Sequence, residues 1–339
     1  MTRTVAKPTS GAPIIVTPGD PAGIGAEISL KAFAAGLRGF VLMEDPERLA
    51  RLADDMGLTV SLREVDTTGG MVATGDALPV VPLQWEAFPV PGTGDPKNGA
   101  LVVDAIRRAV ALARDGRAAA VVTNPINKAV LNAAGFPHPG HTEFLATLSE
   151  TRPGAPTMML ASDELRVVPV TVHMALNDVP KALNSDEIFS KGVLLAESLR
   201  RDFGYADPRI AVCGLNPHAG EDGQFGDEDH LIVAPAVEQL RSAGIAAFGP
   251  LSADTLFHAK ARKFYDGVLG MYHDQVLIPI KTIDFDGGVN VTLGLDFIRT
   301  SPDHGTAFDI AGTGKANPAS LMAALRMARS MANTRHASA

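Results

Sequence analysis

Residues 118–135 read AAAVVTNPINKAVLNAAG, and this stretch decides the fold class. Ala118 to Val122 form a short apolar run of the kind that makes a strand buried on both faces. Thr123, Asn124, Pro125 and Asn127 break that run with turn chemistry, and a helical pattern follows as far as Gly135. Strand, polar turn and helix in so short a span is the unit of a parallel α/β sheet. In such sheets ligands sit outside the carboxyl ends of the strands, where Thr123, Asn124 and Asn127 fall. Ordinary Asn-Pro turn chemistry accounts for these residues equally well.

The same grammar recurs in both directions. Upstream, Ile14 to Val16 run into TPGDPAGIGAEISLKAF, where Asp20 or Thr17 can cap a helix and Pro21 suits its first turn. Gly19, Gly23 and Gly25 let backbone approach a partner closely, as an anion loop or as a tight structural turn. The spacing is neither G-x-G-x-x-G nor that of a P-loop. Short apolar runs between Val41 and Leu83 alternate with helical material, and the Pro/Gly-rich link at 88–99 leads to a helix that stops at Gly116. Downstream, Leu165 to Val172, Arg209 to Leu215 and Val268 to Tyr272 read as strands. Ser185 is expected to cap a helix running through Asp202 to Gly204. Residues 317–333 form a last amphipathic helix whose Met and Leu stripe suits core or a subunit interface.

Composition bounds the function. The 339 residues carry a net charge of -8, with 46% hydrophobic and 20% charged residues, which fits a soluble globular protein with ample core. That charge argues against nucleic acid or an anionic membrane as the main partner, and leaves room for a local basic pocket. Nothing approaches a membrane-spanning length. The single cysteine, Cys213, sits in the run IAVCGL and reads as a buried strand thiol. With no intrachain disulfide possible, a reducing cytoplasm is the expected compartment. Residues 1–13 have charge and turn formers without an apolar core, so a disordered tail is expected there, not a signal peptide.

Polar groups concentrate late in the chain. Between Val268 and Asn317, an apolar run delivers His273 and Asp274, and Lys281, Asn290, Arg299, Asp303 and His304 follow among glycines. A core element has no use for such a collection, so a ligand site is expected. His173, His218 and His273 each lie at or just after the end of an apolar strand. Three such imidazoles can converge on one Zn, Co or Ni ion, although each alone reads as an ordinary structural histidine. Their separations exclude a local H-E-x-x-H motif. His141, Thr142 and Glu143 open a helical pattern from which side chains can face a ligand. His138 lies between prolines, and His230, His258 and His336 lie in polar segments where a solvated role is expected.

Six segments taken together carry a resemblance: TPGDPAGIGAEI, GHTEFLA, GLNPHAGEDGQFG, GPLSADTLF, MYHDQVLIPIK and GVNVTLGLDFIRTSPDHGTAFDIAGTGKANP. In this order, from Ile14 to about residue 330, the chain resembles the 4-hydroxythreonine-4-phosphate dehydrogenase family of vitamin B6 biosynthesis. The resemblance implies an isocitrate/isopropylmalate-dehydrogenase-like fold with two α/β domains and a cleft between them. Domain 1 is expected over 14–125 plus 296–335, on the NAD side, and domain 2 over 126–295. It further implies a homodimer with active sites at the subunit interface, acting on a phosphorylated small molecule, with neither nucleic acid nor membrane as partner. His173, His218 and His273 match the family's metal ligands, for zinc, magnesium or cobalt. His141, Thr142, Lys281, Asn290 and Arg299 match its substrate contacts, with Lys281, His141 and Asp274 as candidates for the catalytic groups. Asp303, His304, Gly305, Thr306 and Asn317 match the loop that holds NAD, or NADP. Asp296 departs from the family, many of whose members carry proline there. The implied reaction is oxidation of 4-phosphooxy-L-threonine at C3 followed by decarboxylation. Sibling enzymes acting on 4-phospho-D-erythronate, 4-phospho-D-threonate or a dihydrodiol share these features, and a non-catalytic small-anion binder is a further alternative.

Overall fold

Short runs of Val, Ile and Ala alternate with helices from the first strand onward, and the runs at 14–17, 40–44, 120–123 and 267–270 are buried throughout, as strands covered by helices on both faces are. In this computed structural model, which describes residues 11–68, 71–138, 140–149 and 155–337, the chain opens with β1 (Ile14–Thr17), α1 (Gly25–Ala34), β2 (Phe40–Glu44) and α2 (Pro46–Asp55). It continues through β3 (Ser61–Glu64), β4 (Ala77–Pro82), α3 (Gly99–Arg114), β5 (Ala120–Thr123), α4 (Lys128–Ala133) and α5 (His141–Thr147). A second group follows: β6 (Thr157–Ala161), β7 (Arg166–Pro169), α6 (Val179–Ala182), α7 (Ser185–Phe203), β8 (Arg209–Cys213) and α8 (Ala234–Ser242). That group ends with β9 (Ala246–Leu251), β10 (Gly267–Gly270), α9 (His273–Ile283) and β11 (Val289–Leu293), before β12 (Arg299–Pro302) and α10 (Ala319–Ala337) close the chain.

The described residues divide into two compact units, one of residues 11–149 and 295–337, the other of 155–294. Residues 126–149, expected with the second domain, cluster with the first. In the first unit the strands run parallel in the order β3-β4-β2-β1-β5-β12. Ile15 lies opposite both Val41 and Val121, and all three are buried beneath Ala105, Ile106 and Ala109 of α3. Each such aliphatic side chain contributes roughly 1.5–3 kcal/mol on burial. In the second unit the order is β11-β6-β7-β10-β8-β9, with β6 antiparallel to both β11 and β7 and the other pairs parallel.

Three boundaries differ from the sequence reading. The first helix begins at Gly25, not at Pro21, because Asp20 spends its carboxylate on a turn, accepting from Ala22 N at 3.0 Å. Asn184, not Ser185, caps α7 by accepting from Glu187 N at 2.8 Å, while Gly204 ends that helix in the left-handed region as expected. Of the expected tail, residues 1–10 lie outside the described residues. Ala12 and Pro13 are buried, their carbonyls accepting from Arg329 and from Ala119 N. Among the described residues no helix is long and apolar enough to cross a membrane.

Candidate active site

In the first unit, the register of β12 on β5 sets Arg299 opposite Val121 and brings its guanidinium to the end of the neighbouring strand. There Thr123 Oγ1 accepts from Arg299 Nε at 3.2 Å and from Nη2 at 2.7 Å. Arg299 is buried, and burial pulls its pKa down to about 10, so it remains a cation at neutral pH. His141 is the first residue of α5, with Gly140 at the N-cap and Thr142 half-buried behind it. The residue keeps some exposure, yet its Nε2 is out of solvent and has no hydrogen-bond partner among the described residues. Burial first, then the positive fields of Arg299 and Lys128, hold its pKa well below the usual histidine range. The result is a neutral imidazole with one unspent polar atom beside buried positive charge, an arrangement suited to an anionic ligand.

The glycine turn before α1 serves the protein's own backbone. A Cβ on Gly25 would lie 2.6 Å from Pro18 O and 3.1 Å from Asn124, and one on Gly23 would lie 3.0 Å from Thr306 O. Asn124 Nδ2 donates to Thr17 O at 3.1 Å and Ser29 Oγ at 3.1 Å, which locks the turn against β5. Ile24 N donates to Thr306 O at 3.1 Å, so the turn is the floor of the 303–317 loop. Glu27 and Lys31 of α1 fasten that loop from below. Glu27 Oε1 accepts from Ala316 N at 2.9 Å, and Lys31 Nζ donates to Gly314 O and Ala316 O, each at 2.7 Å. Sequence reasoning missed both residues, although their i,i+4 pairing in GAEISLK was visible. Asp303 N donates to Ser320 Oγ, and Asn317 Oδ1 accepts from Ala319 N, so both expected cofactor residues are tied into the start of α10. Gly305 is exposed and beside it His304 keeps a buried, unpartnered Nε2. A loop held from below with an orphaned donor or acceptor fits a bound dinucleotide.

The second unit holds the three histidines. His173, just beyond β7, and His273, the first residue of α9, lie with ring centroids 5.7 Å apart. His273 Nδ1 is 2.7 Å from Asp274 Oδ1, which makes Nδ1 the protonated nitrogen and leaves the Nε2 lone pair for a ligand. Asp274 is thereby an orienting partner of His273. His218 lies in a left-handed run in which His218, Ala219, Glu221 and Asp222 all have positive φ. Such a run costs about 1–2 kcal/mol per residue. Asp229 holds it in place, accepting from Leu215 N at 2.7 Å and Asn216 N at 3.1 Å. Two imidazoles fit a divalent first-row cation, but no three His, Cys, Asp or Glu side chains among the described residues gather into one cage. Lys281 lies further along α9 and Asn290 on β11, each half-buried. Cys213 is buried and free, its thiol pushed up to about 12 by burial, as a structural residue should be.

Comparison with known proteins matches residues 37–328 to the family model described as "Pyridoxal phosphate biosynthetic protein PdxA". The chain belongs to the PdxA family. Its PdxA relatives include the 4-hydroxythreonine-4-phosphate dehydrogenase of Xanthobacter autotrophicus, 53% identical over 95% of this chain and 94% of that protein. The corresponding protein of Bradyrhizobium diazoefficiens is 52% identical over 94% of this chain and 97% of its own. Among solved structures, the Klebsiella pneumoniae 4-hydroxythreonine-4-phosphate dehydrogenase superposes with a TM-score of 0.87 at 41% identity, covering 95% of this chain and 99% of that one. The α/β fold expected from the strand and helix pattern is thus the fold of PdxA proteins. Likeness extends to a terephthalate 1,2-cis-dihydrodiol dehydrogenase of Burkholderia xenovorans, with a TM-score of 0.65 at 31% identity and coverage of 94% and 98%.

Proposed function

We propose that this PdxA-family chain is a 4-hydroxythreonine-4-phosphate dehydrogenase that oxidises 4-phosphooxy-L-threonine at C3 and decarboxylates the product to 3-amino-2-oxopropyl phosphate. The observation that carries the reading is the buried Arg299 beside the neutral His141, whose Nε2 has no partner of its own. That corner suits an anionic substrate, and relatives at about half identity carry the activity's name.

Arg299 is suited to a planar, two-point grip on an oxyanion, and its burial strengthens that grip by excluding water. His141, held neutral by burial, offers Nε2 to the substrate as donor or acceptor according to its tautomer. Thr142, Lys281 and Asn290 complete the substrate contacts in this reading, and Lys281 and His141 are the candidate acid/base groups. NAD, or NADP, would accept the hydride from C3 over the loop of Asp303, His304, Gly305, Thr306 and Asn317. A zinc, magnesium or cobalt ion held by His173, His218 and His273 would supply charge stabilisation at the C3 oxygen. Asp274 fixes the His273 ring so that its free nitrogen is presented correctly.

Because no three such ligands gather into one cage among the described residues, while the His173 and His273 rings lie 5.7 Å apart, we place the third ligand, His218, on a second subunit of a cytoplasmic homodimer. Large apolar side chains near these histidines support an interface: Met174, Leu176, Phe225, Ile278 and Phe285 are all exposed. The deciding experiment follows NADH absorbance with 4-phosphooxy-L-threonine, 4-phospho-D-erythronate, 4-phospho-D-threonate and a cis-dihydrodiol, with and without chelator. Turnover of the phosphothreonine that chelator abolishes is expected. Turnover confined to a sugar acid or diol would replace the substrate, and chelator-insensitive turnover would remove the metal.

A further inference from the structure

Lys128 stands at the corner just described and has no task there. It is the first residue of α4, directly after the turn that follows β5, and Asn127 fixes its backbone by accepting from Val130 N at 3.1 Å. Although exposed as a residue, its side chain lies back over the N-cap of α5. A Cβ on Gly140 would sit 3.3 Å from Lys128 Cε and 3.6 Å from Nζ. The Glu143 carboxylate approaches the same point, with Oε2 3.3 Å from it, yet Lys128 forms no ion pair or hydrogen bond with any described residue. Its charge is nevertheless felt at His141, alongside that of Arg299.

We propose that Lys128 is a specificity-determining residue whose ammonium binds the substrate's phosphate, at the same corner as His141 and Arg299. This rests on the assignment of that corner to the substrate. The chemistry selects phosphate over carboxylate. The carboxylate must leave as CO2, so a cation paired with it would stabilise the ground state and slow the step. The phosphate keeps its charge throughout, so a cation on it adds binding without opposing the reaction. A flexible point charge at a solvent-facing rim also suits a strongly hydrated dianion, whereas the buried Arg299 suits a fixed planar contact.

The test compares steady-state kinetics of the whole enzyme with Lys128→Ala, Lys128→Gln and Lys128→Arg, each checked for an unchanged urea midpoint. With 4-phosphooxy-L-threonine, the Ala and Gln variants should raise KM about tenfold or more, the loss expected for one charge-assisted contact. KM for the dinucleotide should not move, Lys128→Arg should recover most of the loss, and competitive inhibition by inorganic phosphate should weaken by the same factor as KM rises. With 4-hydroxy-L-threonine, which lacks the phosphate, the variants and wild type should match. An equal rise in KM on the dephosphorylated substrate would overturn the assignment to phosphate. A silent Lys128→Ala, with Arg299→Gln and His141→Gln impaired, would overturn the role of Lys128 alone. If all three are silent, the corner is not the substrate site and both readings fall.

Discussion

His141 shows how one side chain's surroundings set its chemistry. Because its pKa in the folded protein lies below the ordinary histidine value, the unfolded chain binds a proton that the native chain refuses as pH falls through about 6.5. Its contribution to stability is therefore full above that pH and lost progressively below it. Urea midpoints at pH 7.5 and 5.5 should show a larger acid loss for wild type than for His141→Gln; equal losses would mean the imidazole titrates normally. At Cys213 burial acts in the opposite chemical sense, holding the thiol protonated and out of reach. Iodoacetamide should leave it unmodified in native buffer and alkylate it in urea, as mass spectrometry would record. Both residues were legible as types in the sequence. Only Cys213, in an unbroken apolar run, was legible as to environment.

Among the elements, α1 and the 303–317 loop depend on each other through contacts that no local pattern announces. Glu27 and Ala316 are 289 residues apart in sequence, so periodicity and turn chemistry, which report on near neighbours, are blind to their bond. Replacing Glu27 with Ala would strand Ala316 N and remove the carboxylate partner of Lys31, a loss of about 1–3 kcal/mol for the buried group. We expect KM for the dinucleotide to rise with kcat at saturation much less affected, and unchanged cofactor kinetics would show that the loop holds its shape unaided. Gly25→Ala should be poorly tolerated for a steric reason, since its Cβ would meet Pro18 O at 2.6 Å; a cost of about 1–3 kcal/mol in urea unfolding is expected. Asp296, where the resemblance leads one to expect proline, is held by local contacts. Its carboxylate accepts from Ser149 Oγ at 2.7 Å and lies 2.8 Å from Arg114 Nε, interactions a proline could not make.

At the level of the whole molecule, no three candidate metal ligands gather into one cage among the described residues. If a second subunit supplies His218, the protein should sediment as a dimer, and Phe285→Asp with Ile278→Asp should yield monomers lacking chelator-sensitive activity. A fully active monomer would exclude a shared site. The sequence by itself determined the α/β class, because alternating short buried strands and helices write their periods into neighbouring residues. It also marked most of the polar residues expected at the site, because they interrupt apolar runs at strand ends. Tertiary structure alone decided that Arg299 meets Thr123, that the His173 and His273 rings come within 5.7 Å, and that the glycine turn packs on Thr306. The physical reason is that strand order and register bring distant residues together, and burial then sets their charge. Neither quantity is encoded in spacing along the chain.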